Sequence, residues 1–351
     1  MIKGISRTRF SVIGHFAEGL PINDGQTVKT RSLAELLERY YQCGIQRVDT
    51  YDYRRHPVKL LKSTISCLFH SDCVFVLLSR NGRTILLPII SMLSKLSGSR
   101  VFHCLIGGKL ADDVERRPWM AAVLNSLEAN WVETHSLVAR LKEVGVTNAA
   151  YLPNFKLLEP VDMKNRSYSS EPPFKLCTFS RVMREKGILD AIEAVESINR
   201  KAASCICLLD IYGQIEKSFS DEFARAIESA KYCSYSGNVE SGRAVNILSG
   251  YDCMLFPTLW EGEGIPGTVI DALTAGLPVI AYKWAYYDEM LADGITGFGV
   301  SPGDRDQLSK AVVALFSEKD LLRNLGDQCL HKSRDYSPEK VFEIIDKAIQ
   351  S

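Results

Sequence analysis

The sequence predicts a two-domain α/β protein, with two Rossmann-like domains whose parallel sheets face a cleft. Three observations carry this. Short apolar, β-rich runs alternate with helical patterns almost from end to end. The alternation stops once, at a polar, proline-containing stretch near residue 160, and then restarts. The 351 residues suffice for about two domains. Strands alternating with helices of this length require parallel sheets joined by helical crossovers.

In chain order, "RFSVIGHF" reads as a strand and "SLAELLERYYQCG" as a helix closed by Gly44. "QRVDTYD", "DCVFVLLS" and "SRVFHCLIGG" are further strands, the last preceded by a helix over residues 85–96. "SLVARLKEVGV" is a helix with a glycine stop, and "AAYLPNF" returns to a strand. "LEPVDMKNRSYSSEPPFK" holds Pro160, Pro172 and Pro173 and has no periodicity, so it reads as the interdomain linker. The pattern resumes with strand "KLCTFSRV", helix "KGILDAIEAVESINR", strand "SCICLLDIYG" and helix "DEFARAIESAKY". Strand "DCMLFPT", helix "TVIDALTAG", strand "LPVIAY" and the helical pair "RDQLSKAVVALFSEKDLLRNL" complete it.

Composition narrows the function classes. Lys plus Arg and Asp plus Glu both number 42, which removes any global electrostatic argument for a nucleic-acid partner. The ten cysteines include no CxxC pair and lie in apolar runs, as buried thiols of a reducing cytoplasm do. The N-terminus shows no apolar run of signal-peptide length. The most apolar stretch, "ILLPIISMLSKL", is about twelve residues with Pro88 and Lys95 inside, short of the roughly twenty that span a bilayer. The expectation is a cytoplasmic protein. The wider "TILLPIISMLSKLSGSR", with Arg80, Arg83, Lys95 and Arg100 nearby, suits either a buried helix or peripheral contact with the inner membrane.

Ligands of such sheets sit beyond the carboxyl ends of strands, so the loops after strands are where chemistry is sought. In "FPTLWEGEGIPGTVID", Gly267 opens a helix whose free N–H groups suit a phosphate. Glu263 precedes that point and Asp271 lies one turn in. Carboxylates there can accept hydrogen bonds from vicinal hydroxyls, or simply be a solvated loop residue and a favourable helix charge. In "FSRVMREKG", Arg181 and Lys186 can clamp a diphosphate, although a solvated basic turn accounts for them equally. Gly213 in "IYGQ" and Gly237 in "YSGNVE" allow close ligand approach or make ordinary turns. In the first half, Asp24-Gly25-Gln26-Thr27 reads as a glycine turn at a helix N-terminus facing the cleft. His103, at a strand end, and His15 are the histidines placed to meet that cleft. No dinucleotide fingerprint, P-loop, serine elbow or metal-ligand spacing is present.

"SRVMREKGILDAIEAV", "YG", "YSGNVE", "FPTLWEGEGIPGTVIDALTAGLPVIA" and "GITGF" resemble, in order and spacing, the C-terminal domain of glycosyltransferase family 4. These are retaining enzymes of the GT-B fold, and the likeness is to bacterial capsular, O-antigen and exopolysaccharide transferases. The match runs from about residue 150 onward. The N-terminal half is weaker, resting on "DGQTVKTRSL", "VETHSLVARLKEVGV" and "YLPNF". The resemblance implies domains at 1–156 (acceptor) and 157–334 (nucleotide-sugar), with 335–351 as a helix crossing back to the first.

It further implies that Glu263 binds donor-sugar hydroxyls, Asp271 the ribose, and Arg181 and Lys186 the diphosphate. Gly267 and Thr268 would offer amides, beside Gly264, Ile265 and Pro266 of the same loop. Gly237, Asn238 and Val239 lie where the base packs, Gly213 beside them. Gly25, with Gln26, corresponds to the first domain's glycine loop, and His103, or else His15, to a histidine near the sugar. The second acid is Asp where the family pattern has Glu. The implied activity is transfer of a sugar, with retention, from a UDP- or GDP-linked donor to a sugar or lipid-linked sugar acceptor. It requires no metal and no cofactor beyond that co-substrate. An NDP-sugar 2-epimerase of the same fold, or a non-catalytic nucleotide-binding subunit, would share the donor site. An oxidoreductase is disfavoured by the absent dinucleotide motif.

Overall fold

The computed structural model describes residues 8–20, 24–162, 166–169, 171–318 and 320–351. The sequence readings that fall on residues 1–7, on 21–23 of the first loop, and on 163–165 and 170 of the linker lie outside them.

The chain forms two compact units, one of Met1–Leu157 with Tyr336–Ser351 and one of Leu158–Asp335. The first holds β1 (Phe10–Gly14), α1 (Gly25–Tyr41), β2 (Gln46–Asp49), α2 (Pro57–His70), β3 (Cys73–Leu77), α3 (Arg80–Ser97) and β4 (Arg100–Cys104). It continues with α4 (Leu110–Arg116), α5 (Trp119–Asn125), β5 (Ala129–Val132), α6 (His135–Glu143) and β6 (Ala149–Tyr151). Its sheet has the order β2-β1-β3-β4-β5-β6, with every pairing parallel.

A parallel sheet flanked by its own crossover helices is buried on both faces. The central strands β1 and β3 are accordingly buried at every residue, whereas edge strand β2 is mostly exposed. On one face Phe10, Phe75, Phe102 and Trp131 form a ladder across four strands, with centroids 6.4, 5.3 and 4.9 Å apart in turn. The same core takes Leu33, Leu36 and Leu37 of α1.

The second unit holds β7 (Phe174–Phe179), α7 (Ile188–Ala202), β8 (Cys207–Tyr212), α8 (Ser220–Ser229), β9 (Cys233–Gly237), α9 (Ala244–Leu248) and β10 (Cys253–Phe256). Then come α10 (Gly267–Thr274), β11 (Val279–Tyr282), α11 (Tyr287–Met290), β12 (Gly297–Val300), α12 (Arg305–Ser317) and α13 (Leu321–Ser333). The order is β12-β11-β10-β7-β8-β9, again all parallel. Helix α14 (Pro338–Gln350), capped by Ser337, belongs to the first unit, where Val341 and Ile345 enter the aromatic core. Among the described residues no helix is long and apolar enough to cross a membrane.

The fold class is the expected one, two parallel six-stranded α/β units. The described part of the presumed linker is not free, however. The Arg166 guanidinium donates to the carbonyls of Ser249 (2.7 Å) and Tyr251 (2.8 Å), and Tyr168 Oη to that of Gly276 (2.6 Å). Polarity and proline content looked like a tether, but here the polar groups are the fastenings.

Candidate active site

In the second sheet the strand order reverses between β7 and β10. A crevice at the carboxyl ends forms at such a switch point, because the following connections leave in opposite directions. The post-β7 loop carries Arg181 and Lys186, and the post-β10 loop carries Glu263. The topology therefore brings together residues from two sequence motifs 77 positions apart.

Two glycines make the close approach feasible. Gly187 has φ +66°, and a Cβ there would lie 1.9 Å from the Pro257 carbonyl oxygen, so only glycine lets the β7 loop rest on the β10 loop. Gly213 has φ +131°, and its Cβ would lie 1.8 Å from the Ser180 oxygen, which ties the β8 loop to the β7 loop. Backbone bonds complete the stitching, from Leu259 N to Glu185 O (2.7 Å) and from Gly213 N to Gly237 O (2.9 Å).

At the crevice the Lys186 ammonium donates directly to Glu263 Oε2, with both side chains 11% exposed. Thr258 Oγ1 donates to the same oxygen at 3.0 Å. The ammonium also lies 5.5 Å from the centroid of the Phe256 ring. Thr258 is a site residue that sequence reasoning passed over, although it ends the quoted "FPT".

Arg181 is exposed, and among the described residues it makes no ion pair, unlike its neighbour Arg184, which pairs with Glu222. Next to Glu263, α10 begins behind Pro266, and no side chain caps it. Its first-turn N–H groups, at Gly267 and Thr268, therefore point out of the helix end. Thr268 Oγ1 donates to the Phe179 carbonyl and pins that helix end to β7. Gly264, Ile265 and Pro266 are buried beneath the loop, and the Gly264 carbonyl accepts from Trp284 Nε1 (2.9 Å). At the far end of the row, edge strand β9 finishes at Gly237, followed by exposed Asn238 and half-buried Val239. From β10 to β9 is three strand spacings, about 14 Å. The result is a row with carboxylate and ammonium at one end, free cation and helix amides beside them, and open glycine-bearing backbone at the other.

Burial separates two of the expected residues from the open loops. Asp271 does lie in the early turns of α10, but it is 1% exposed. Its carboxylate is enclosed and not solvated. His103 is near the strand end as expected but does not meet a cleft. It sits within β4, fully buried, its Nδ1 3.2 Å from Asn130 Oδ1. Burial, with the cations Arg83 and Lys29 near, lowers its pKa to about 3, so it is a neutral core group.

His15 is the better-placed histidine. It follows β1, is partly exposed, and holds Thr27 Oγ1 at 2.7 Å. Gly25 and Gln26 form the first turn of α1 behind Asp24, whose carboxylate accepts from Thr27 N (2.8 Å). These residues line the first sheet's own switch point, between β1 and β3. Close by, the buried Lys29 ammonium joins Glu133 and the Leu105 carbonyl (2.8 Å), tying α1 to the ends of β4 and β5. Sequence reasoning missed this pair. The available signal was a lysine spaced four residues before Leu33 on the inward stripe of α1.

Comparison with known proteins bears on this arrangement. Residues 162–329, nearly the whole second unit, match the family model described as glycosyl transferases group 1. The GtfA subunit of a UDP-N-acetylglucosamine–peptide N-acetylglucosaminyltransferase from Streptococcus gordonii is 30% identical over 159 residues, 44% of this chain and 29% of that one. The amylovoran biosynthesis glycosyltransferase AmsK of Erwinia amylovora is 23% identical over 190 residues, 52% of this chain and 44% of that one. The chain spans less than half the length of the curated relatives it matches. Among solved structures, Anabaena HepE in complex with UDP has TM-score 0.75 at 12% identity, covering 97% of this chain and 99% of that one. At that identity the likeness is one of fold.

Proposed function

We propose that this chain, whose residues 162–329 match the family model described as glycosyl transferases group 1, transfers a sugar with retention from a nucleoside-diphosphate sugar to an acceptor hydroxyl. The observation that carries the reading is the Lys186–Glu263 contact at the switch point, flanked by Arg181 and the open end of α10. Anionic oxygens of a diphosphate match the cations and amides. Vicinal hydroxyls match a carboxylate already held by Lys186 and Thr258. The base lies towards Gly237, Asn238 and Val239.

In the reaction the bond from the anomeric carbon to the diphosphate oxygen breaks, and the acceptor oxygen bonds to that carbon on the same face. The acceptor's proton passes to a donor phosphate oxygen. Charge growing on the departing diphosphate is met by groups already oriented. No divalent metal takes part. UDP is the favoured nucleotide, since HepE was solved with UDP. The acceptor is a sugar or lipid-linked sugar in cell-surface polysaccharide synthesis, as the amylovoran relative's name supports, met at the inner face of the cytoplasmic membrane. A second reading, one subunit of a transferase complex, is favoured by the naming of the S. gordonii relative as a subunit.

The test is nucleotide release and anomer-resolved NMR of the product, with UDP- and GDP-sugars, EDTA and an acceptor panel. Glu263→Ala and Lys186→Ala are expected to lower kcat on the order of 10²-fold or more. Inversion at the anomeric carbon, or full activity in both variants, overturns the reading.

A further inference from the structure

Helices α2 and α3, which pack on each other in the first unit, are apolar on their exposed faces as well as on their buried ones. On α2 the exposed stripe is apolar, with Val58 (64% exposed), Leu61, Ile65 and Phe69 (51%), while Thr64 faces inward with Cys67 and Leu68. On α3, Ile85 (65%), Met92 (60%) and Leu96 (71%) point out, while the buried face holds Arg83, Ser91 and Ser94 beside Leu87 and Ile90. Spacings of 58, 61, 65, 69 and of 85, 92, 96 each keep to one helix face. Large apolar side chains gathered on adjacent exposed stripes mark a surface that meets something other than water.

The charges say what it meets. Neither helix contains a carboxylate. Exposed cations line the stripes, with Lys59 and Lys62 on α2, Lys95 on α3, and Arg54 just ahead of α2 beside exposed Tyr51 and Tyr53. Within the two helices the exposed charges are thus all cationic, and the acid of the preceding loop, Asp52, is paired with Arg55. Two copies meeting through this face would set lysine against lysine, whereas an anionic lipid surface complements it. Lysine stems lie along such a surface with the ammonium at headgroup level, and tyrosines suit the same depth. With no spanning helix among the described residues, the face lies on the bilayer and does not cross it.

We infer that the outer face of α2 and α3 docks the first unit on an anionic membrane surface. The inference deepens the membrane part of the function proposed above and rests on it, but the docking itself needs neither donor nor acceptor.

The experiment is cosedimentation of the full chain with vesicles of phosphatidylcholine alone or mixed with phosphatidylglycerol. Binding is expected with phosphatidylglycerol, weakening as salt rises. Each surface cation is worth on the order of fivefold in partition coefficient, so Lys59→Ala/Lys62→Ala lowers binding by about twenty-five-fold. Phe69→Ser/Leu96→Ser abolishes it and leaves the thermal unfolding midpoint unchanged, since both side chains are exposed. Absent binding to anionic vesicles at low salt, or equal binding to neutral ones, overturns the inference. A wild-type dimer that Phe69→Ser/Leu96→Ser makes monomeric also overturns it and assigns the face to a second copy. Transfer to a water-soluble acceptor is unaffected by these variants, so its failure would count against the proposed function and not against docking.

Discussion

Replacing Lys186 by methionine removes one charge of a pair whose two side chains are each 11% exposed. Breaking a buried ion pair from one side costs about 3–5 kcal/mol, because the remaining charge stays desolvated. Glu263 keeps the Thr258 hydroxyl at 3.0 Å, which places the expected loss at the lower end, about 3 kcal/mol. In a unit of this size each kcal/mol moves the unfolding midpoint by about 2–4 °C, so the second unit should melt about 6–12 °C lower by calorimetry. The double variant Lys186→Met/Glu263→Leu should recover at least half of that, since removing both charges leaves none stranded. A nucleoside diphosphate at a hundredfold excess over its dissociation constant should stabilise wild type by about 2.7 kcal/mol and Lys186→Met hardly at all. A single variant that melts within about 1 °C of wild type, or a double variant that loses the sum of the singles, would refute the reasoning.

Gly187→Ala puts a methyl carbon into the Pro257 carbonyl at positive φ. It should cost more than about 3 kcal/mol by denaturant unfolding and lower nucleotide affinity with it. For His103 the sign follows from burial. The folded pKa is depressed to about 3 against about 6.5 unfolded, so the unfolded chain takes up a proton that the folded chain refuses. Stability from this group is complete above pH 6.5 and falls by on the order of 1 kcal/mol per unit down to about pH 3. His103→Gln should flatten that slope in denaturant titrations between pH 6.5 and pH 4, and an unchanged slope would show that the proton goes elsewhere.

The alternation of strands and helices, and the restart after residue 160, were legible because a parallel sheet demands both. Within the site, Glu263 and Lys186 could be picked out singly, but their direct contact could not, since it depends on which strands neighbour each other. Helix α2 was missed for a specific reason. Cys67 and Leu68 are turned inward and Val58, Leu61, Ile65 and Phe69 outward, so the apolar residues show no single helical period. His103 misled because a strand next to a glycine turn looks exposed at its end. Strands β3 and β5 pair with both edges of β4 and α3 packs on it, and nothing local in the sequence reports that.

The membership of α14 has a consequence for how the chain folds. Val341 and Ile345 fill the first unit's aromatic core, Phe342 stacks on Tyr40 at 4.3 Å, and the Tyr41 hydroxyl reaches Asp346 at 2.9 Å. The second unit is thus an insertion in the sequence of the first. During synthesis, residues 1–157 emerge with one flank of α1 and its tyrosines bare, and they remain so while all of the second unit is made. That second unit has every contact it needs within one continuous stretch, so it can close first although it comes later. The first unit therefore completes its core only after the whole of the second has been made.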